Sequence, residues 1–210
     1  MVIEFIGIAG TGKTTVLDSF ISLKDISGIK LTNLSIYRNT SIKEKIFTIL
    51  KAIYLTYKLK PINIKGGIKI LKLLCSYILK IKAIDNKQQI YFLDEGILHK
   101  TREINRHCKC DNMKEIINVI QKKIYIPDCI VVLEADADTI YERRLKRSRK
   151  NDFFSLEIIQ QNVIDFKDTL CMVDYVKKIY KPVMKIIRIN YNKDMTPKEA
   201  VNKILSEIDL

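Results

Sequence analysis

Apolar and polar positions along this chain follow two alternating patterns. Short apolar runs bounded by turn residues are typical of buried strands in a parallel sheet; they span residues 2–6, about 30–37, 90–93, 129–134 and 186–189. Between them, apolar residues recur every three or four positions, which predicts helices over 13–23, 42–59, 66–84, 97–107, 113–124, 137–147, 155–180 and from 197 onward. Strands that alternate with helices predict an α/β fold with a parallel sheet.

Length and composition narrow the class of protein. The 210 residues show no internal repeat and no linker, which predicts a single domain over 1–210. A hydrophobic fraction of 47% excludes a disordered chain. No long apolar window is free of charge, so a membrane-spanning helix is not expected. The five cysteines are an odd number and no secretory signal precedes the first strand, so we expect a cytoplasmic protein.

One motif carries specific chemistry. Gly7-Ile8-Ala9-Gly10-Thr11-Gly12-Lys13-Thr14 matches the pattern G-x-x-x-x-G-K-[ST] in full, between a predicted strand and a predicted helix. Glycines let successive backbone N–H groups point at phosphates, and the helix N-terminus adds positive charge. Lys13 is predicted to reach the β- and γ-phosphates and to act in catalysis, and Thr14 to ligand Mg²⁺. The residues predicted to bind the nucleotide are Gly7, Ala9, Gly10, Thr11, Gly12, Lys13, Thr14 and Thr15.

An acidic pair follows the strand at 90–93. In a parallel sheet the carboxyl end of this strand lies beside the phosphate loop. Asp94 is therefore predicted to hold the metal ion, directly or through water. Glu95 is its neighbour and could act as a base toward an acceptor hydroxyl; the alternative is an exposed residue at a strand end.

These residues resemble the P-loop kinases that phosphorylate nucleosides and nucleoside monophosphates, especially the thymidylate kinase-like group. The likeness rests on the phosphate loop, on residues 93–96, on 127–133 followed by 140–147, and on the layout of 186–208. It covers most of the chain except about 41–89. The resemblance implies a P-loop NTPase fold with three α/β/α layers, a five-stranded parallel sheet and an arginine-bearing lid. It also implies ATP and Mg²⁺ as cofactors.

In this family the lid carries arginines, and here the resemblance implies a lid over about 144–154. Arg143, Arg147 and Arg149 match the family's lid and pre-lid positions, and are predicted to be catalytic. Guanidinium groups neutralise the charge that spreads over a phosphoryl group in transfer, and a closing lid excludes water. The alternative is a solvated basic helix end, which the helix dipole also favours.

The sequence departs from the thymidylate kinases at the acceptor side. Arg38 fits the family's arginine after the second strand and is predicted to bind substrate, but Asn39 replaces the glutamate that follows it. Asp94-Glu95 stands where the family has Asp-Arg. Glu95 therefore replaces an arginine that would contact the phosphate of the acceptor. Asp94 and Glu95 thus favour a hydroxyl-bearing acceptor, which could be a nucleoside, a sugar or another small alcohol.

The net charge of +13 is concentrated in one segment. Residues 41–89 contain eleven lysines and only two acids, Glu44 and Asp85, which gives +9. The second helix of this segment has more apolar surface than one packing face requires. It could pack on the core and on a second subunit, line the acceptor site, or lie on an anionic membrane. Nucleic acid is not the expected partner, because the segment lacks arginine.

The sequence as a whole predicts a kinase that transfers the γ-phosphoryl group of ATP to a small-molecule acceptor, most simply a nucleoside or nucleoside monophosphate. A kinase of a sugar or polynucleotide hydroxyl is the alternative on the same scaffold. A nucleotide-binding switch or membrane-associated NTPase without an acceptor is the rival class. The protein is expected in the cytoplasm, where it could lie peripherally on the inner face of the membrane.

Overall fold

Five parallel strands form one sheet in the order β2-β3-β1-β4-β5. The computed structural model describes residues 1–22, 31–33 (backbone only), 41–82, 84, 89–147 and 154–208. The strands are β1 (Val2–Ile6), β2 (Leu31–Asn33), β3 (Ile90–Leu93), β4 (Cys129–Glu134) and β5 (Lys185–Asn190). The number of strands and their parallel pairing are those predicted from the sequence.

Helices connect the strands at every crossover. They are α1 (Lys13–Ser22), α2 (Ile42–Lys58), α3 (Ile64–Lys82), α4 (Ile97–Asn105), α5 (Met113–Ile120), α6 (Ala137–Arg147), α7 (Leu156–Ile179) and α8 (Pro197–Glu207). Most ends lie within two residues of the prediction. Helix α5 is shorter than predicted because the chain turns after Ile120.

Strand β1 is the centre of the sheet and is buried along its whole length. It pairs with β3 on one side and with β4 on the other. Side chains of Ile3 and Phe5 pack in a core with α1 and α8, whereas Val2 and Ile6 belong to a second core with α2–α5 and α7. The fold therefore has the predicted three α/β/α layers, and the apolar strands face helices on both sides.

The last helix begins as its sequence predicts. Thr196 caps α8 by accepting from the backbone N–H of Glu199, and the Glu199 carboxylate accepts from the Thr196 N–H. Pro197 occupies the first turn, where its missing N–H is not needed. Among the described residues, no helix combines the length and the apolar character needed to cross a bilayer.

Candidate active site

The loop from Gly7 to Gly12 joins β1 to α1 at the carboxyl edge of the sheet. Gly10 and Gly12 have φ values of +95° and +93°, a conformation that residues with a Cβ rarely adopt. A Cβ on Gly12 would also lie 2.5 Å from Cε1 of Tyr191. The sequence motif therefore folds as a tight loop at a helix N-terminus, which is the geometry for binding phosphate.

Lys13 begins α1 and turns back over this loop. Its Nζ donates to the carbonyl oxygens of Gly7 at 2.7 Å and Ile8 at 3.1 Å. Burial lowers the pKa of Lys13, and the nearby carboxylates of Asp94 and Glu95 oppose that shift. The ammonium thus donates to the loop and lies near the acidic pair, and its predicted contact with the β- and γ-phosphates stays a prediction. Thr14 and Thr15 are exposed in the first turn of α1.

Asp94 follows β3, beside the phosphate loop. Burial raises the pKa of its carboxyl group, and the charge of Lys13 lowers it. Its Oδ1 is buried and has no hydrogen-bond partner among the described residues. A buried carboxylate oxygen without a donor suits a metal ion or metal-bound water. The Asp94 carboxylate and the exposed Thr14 hydroxyl therefore fit a magnesium site, which remains a prediction for both residues.

A cavity of about 330 Å³ opens directly beside the loop. Gly7, Ile8, Ala9 and Lys13 line the cavity, as does Glu95, which precedes the N-cap of α4. Residues of α4, α6 and α7 complete the lining: His99, Arg102, Glu103, Arg106, Arg144, Ile159, Asn162, Phe166 and Thr169. The cavity has the volume of a small-molecule site. Glu95 therefore faces the same cavity as the residues predicted to bind phosphate.

The first turn of α4 is fixed by a carboxylate from the middle of the sheet. Glu4 of β1 is fully buried and accepts from the backbone N–H groups of His99 at 2.7 Å and Leu98 at 3.3 Å. The helix's own N-cap is Gly96, which has no side chain to make these bonds. A Cβ on Gly96 would overlap the Glu4 carboxylate. Burial raises the pKa of Glu4 to about 7, although these N–H groups oppose the shift.

His99 and Arg102 line the cavity, and the sequence analysis selected neither. Burial, with a smaller contribution from Lys13, lowers the pKa of His99 to about 4, so its ring is neutral at pH 7. Arg102 donates to Asn162 Oδ1 at 3.4 Å and to Asp165 Oδ2 at 3.3 Å on α7. Their spacing on α4 was the available signal, because positions three apart on a helix share a face.

Both arginines that α4 and its C-cap contribute to the cavity have an acidic partner. Arg102 pairs with Asp165, and Arg106 pairs with Glu103 at 3.2 Å. Glu103 also contacts Lys69 of α3 at 2.7 Å, and these partners lower its pKa. The side of the cavity that α4 and its neighbours line, which we call the α4 wall, is therefore nearly balanced in charge. The phosphate loop, in contrast, has a net positive charge.

The predicted arginines take different positions. Arg143 donates to the backbone oxygens of Thr11, Tyr191 and Asn192 and lies 4.5 Å from the centre of the Tyr191 ring, so it braces the loop. Arg147 lies near enough to Lys13 to lower its pKa, while Arg144, which was not selected, lines the cavity.

Two selected arginines cannot be placed. Arg38 and Arg149, with most of the predicted lid, lie outside the described residues. Arg144 and Phe154, the first and last residues of the predicted lid, are in contact, with the guanidinium 4.7 Å from the centre of the ring.

A separate groove of about 520 Å³ lies between α3 and α4. Lys65, Lys69, Lys72 and the almost fully buried Lys100 line it, along with apolar side chains. No residue of α3 lines the cavity beside the phosphate loop. The basic helices therefore contribute to a neighbouring surface, and whether that surface takes part in acceptor binding stays a prediction.

Comparison with known proteins gives a likeness in fold alone. No protein-family model matches the chain, and no curated protein matches it by sequence. Among solved structures, deoxyadenosine kinase from M. mycoides with bound dCTP aligns at TM-score 0.56 and 15% identity, over 100% of this chain and 99% of that one. The same kinase with bound dATP aligns at TM-score 0.56 and 18% identity, over the full length of both chains. The chain has the fold of P-loop nucleoside kinases, as its resemblance implied.

Proposed function

We propose that this protein is an ATP- and Mg²⁺-dependent kinase that phosphorylates a hydroxyl group of a small acceptor, with a nucleoside as the preferred class. The observation that carries the proposal is the cavity shared by Lys13 and Glu95, since it brings a phosphate-binding loop and a carboxylate base to one space. The shared fold supports the proposal, because the structural neighbours are deoxyadenosine kinases.

The acceptor side favours a neutral polar molecule over a nucleoside monophosphate. Arg102 and Arg106 already have the carboxylate partners Asp165 and Glu103, so the α4 wall offers little unpaired positive charge to an acceptor phosphate. Glu95 adds negative charge there, and the neutral ring of His99 can donate or accept a hydrogen bond. The structures of that deoxyadenosine kinase hold dCTP, dATP, or the products dCMP and dCDP.

The residues divide the reaction between them. Glu95 removes the proton of the acceptor hydroxyl while the oxygen of that hydroxyl forms a bond to the γ-phosphorus. The bond between the γ-phosphorus and the oxygen that bridges it to the β-phosphate breaks, and ADP is released. Lys13, Arg144 and Arg147 stabilise the charge that spreads over the transferring group. Thr14 and Asp94 would hold Mg²⁺, which would supply positive charge to neutralise the phosphates of the nucleotide.

A panel of acceptors tests the proposal. The purified protein is incubated with ATP, Mg²⁺ and, separately, nucleosides, nucleoside monophosphates, sugars and an oligonucleotide with a free 5′-hydroxyl, and ADP release is measured. We expect at least one nucleoside to raise ADP release at least ~10-fold above the acceptor-free rate. A response to sugars or to the oligonucleotide alone would favour the other kinase classes. Steady hydrolysis that no acceptor changes would favour the switch or NTPase class.

A further inference from the structure

Helix α2 exposes most of its apolar residues. It buries only a narrow strip of side chains, those of Thr48, Ala52 and Leu55. Six large apolar residues lie on its outer side with 47–76% of their surface exposed: Ile42, Ile46, Ile49, Leu50, Ile53 and Tyr57. Phe47 and Tyr54 extend the same side. We call these eight side chains the apolar face of α2.

The apolar face covers one side of the helix, and Lys43 in the first turn is the one charged residue inside it. At about 100° per residue its members cover about 160° of the circumference. Lys45 borders one edge, and Lys51 and Lys58 border the other. Of the eighteen large apolar side chains exposed among the described residues, eleven lie between residues 42 and 68. Such a concentration marks an interaction surface.

The structure moves the excess apolar surface from α3, where the sequence suggested it, to α2. Helix α3 buries Ile70, Leu74, Tyr77 and Ile78 against the core. It leaves Ile64 and Ile68 exposed, and these extend the apolar face of α2 across a shallow groove that Tyr57 and Ile53 also line. The pair of helices thus presents one broad apolar surface outward.

Positive charge surrounds this surface. Helix α2 carries four lysines and a single acid, Glu44, whereas Lys65, Lys69 and Lys72 of α3 line the separate groove toward α4. Glu44 is engaged in the capping box of Ser41. Lys82 lies 5.0 Å from the ring centre of Phe47, and Lys58 lies 5.8 Å from that of Tyr54. Lys58 and Lys82 therefore lie beside the aromatic side chains at one edge of the apolar face.

A second copy of the chain would satisfy only the apolar side chains. A two-fold dimer places the same patch against itself, so the lysines of α2, Lys43, Lys45, Lys51 and Lys58, would lie close to their copies with Glu44 as the only acid on each helix. An anionic bilayer meets both features, since its acyl region accepts apolar side chains while its headgroups attract the lysines around them. Helix α2 spans about 25 Å, which is ample for a helix lying in the interface.

We propose that the apolar face of α2, with its border of lysines, binds the surface of an anionic phospholipid bilayer. The helix lies in the plane of the interface, its apolar side chains enter the headgroup boundary, and Lys45, Lys51 and Lys58 contact lipid phosphates.

Vesicle flotation tests the inference. The full-length protein is mixed with phosphatidylcholine vesicles containing about one-third phosphatidylserine, or with pure phosphatidylcholine, at ~0.05 M and ~0.5 M salt. We expect the protein to float with the anionic vesicles at low salt and to be largely released at high salt. I46Q/L50Q/I53Q should weaken binding about 100-fold or more. K51Q/K58Q should weaken it about 30-fold, since each lysine contributes about fivefold.

Matched controls change the same residue types elsewhere. I164Q/I179Q/V183Q removes three exposed apolar side chains from other surfaces, and K178Q/K198Q removes two exposed lysines. Both should bind vesicles like the wild type. The proposal is overturned if the wild type stays unbound at low salt, or if the controls lose binding as strongly as the α2 variants. It is also overturned if the lipid-free protein is a dimer that I46Q/L50Q/I53Q dissociates, since a second copy would then cover this face.

Discussion

The phosphate loop and the α4 wall face each other across one cavity, but they are held in different ways. The loop is shaped mainly by its own backbone: two glycines with positive φ and Lys13 donating to Gly7 and Ile8 lie within seven residues, and Arg143 of α6 adds one distant bond to the Thr11 carbonyl. The α4 wall is held from a distance, by Glu4 from β1 and by Asn162 and Asp165 from α7.

This difference has a functional consequence. A loop whose conformation depends mostly on local contacts is less sensitive to the rest of the chain, so the donor side is expected to tolerate most distant changes, apart from those at Arg143. The acceptor side depends on contacts between residues 60 or more positions apart, such as Arg102 with Asn162. Substitutions far from the cavity should therefore alter acceptor use before they alter ATP binding.

The largest effect is expected on the donor side. Lys13→Ala removes the ammonium that lies between the loop and the acidic pair, and should lower ADP release ~10³-fold with and without acceptor. Steady-state ADP release checks this, and Lys198→Ala, at an exposed site, should leave both rates unchanged. If Lys13→Ala spared the acceptor-dependent rate, the loop would not be the phosphate site.

Glu95→Gln should separate the use of the acceptor from the binding of ATP. It keeps the size of the side chain and removes the base, so acceptor-dependent kcat should fall ~10²-fold while ATP binding changes little. The measurements are kcat with the best acceptor and a nucleotide-binding titration. Glu207→Gln, an exposed change in the last turn of α8, is the control. An unchanged kcat would mean that Glu95 is not the base.

The buried Glu4 carboxyl group, which accepts from the first turn of α4, should make the stability of the protein depend on pH. Folded Glu4 keeps its proton to about pH 7, whereas the unfolded carboxyl loses it near pH 4.5. The contribution of Glu4 to stability is therefore fully present below about pH 4.5 and is lost as pH rises through 7.

Glu4→Gln removes this titration. The free energy of unfolding of the wild type minus that of Glu4→Gln should fall by about 3 kcal/mol between the two pH values. Chemical denaturation of both proteins at several pH values measures it. The difference cancels titrations common to both proteins, so parallel curves would show that Glu4 does not titrate in this range.

The smallest effect concerns the contact between Gly96 and Glu4. Gly96→Ala places a methyl group against the buried carboxylate, and should cost about 2 kcal/mol of stability. Gly67→Ala is a matched change in α3, where a Cβ would make only ordinary contact with Pro61, and it should be neutral or stabilising. Thermal unfolding of both variants provides the comparison; equal melting temperatures would show that α4 adjusts freely.

The sequence predicted what local patterns encode. Apolar runs marked the strands, the glycine motif marked the loop, and the end of β3 placed Asp94 and Glu95 beside it, because the carboxyl ends of parallel strands share one edge. The cap of α8 was also readable, since Thr196 and Glu199 have the spacing of a capping box.

Contacts between distant segments could not be predicted. Nothing local to Val2–Ile6 indicates that Glu4 faces the N-terminus of α4, and nothing in α6 indicates that Arg143 bonds to backbone beyond β5. The same holds for α2 and α3, whose apolar patterns are similar although α3 exposes two large apolar side chains and α2 exposes eight. Burial depends on which elements pack together, and periodicity reports only that a face is apolar.

The fate of the γ-phosphoryl group tests the proposed reaction most directly. In a single turnover with ATP labelled at the γ-phosphorus, Mg²⁺ and the best nucleoside of the panel, the products are separated by chromatography. Transfer to the acceptor predicts label in the nucleoside monophosphate, and Glu95→Gln should slow its appearance. Label found only in inorganic phosphate, at a rate that the nucleoside does not change, would contradict a kinase and identify a hydrolase.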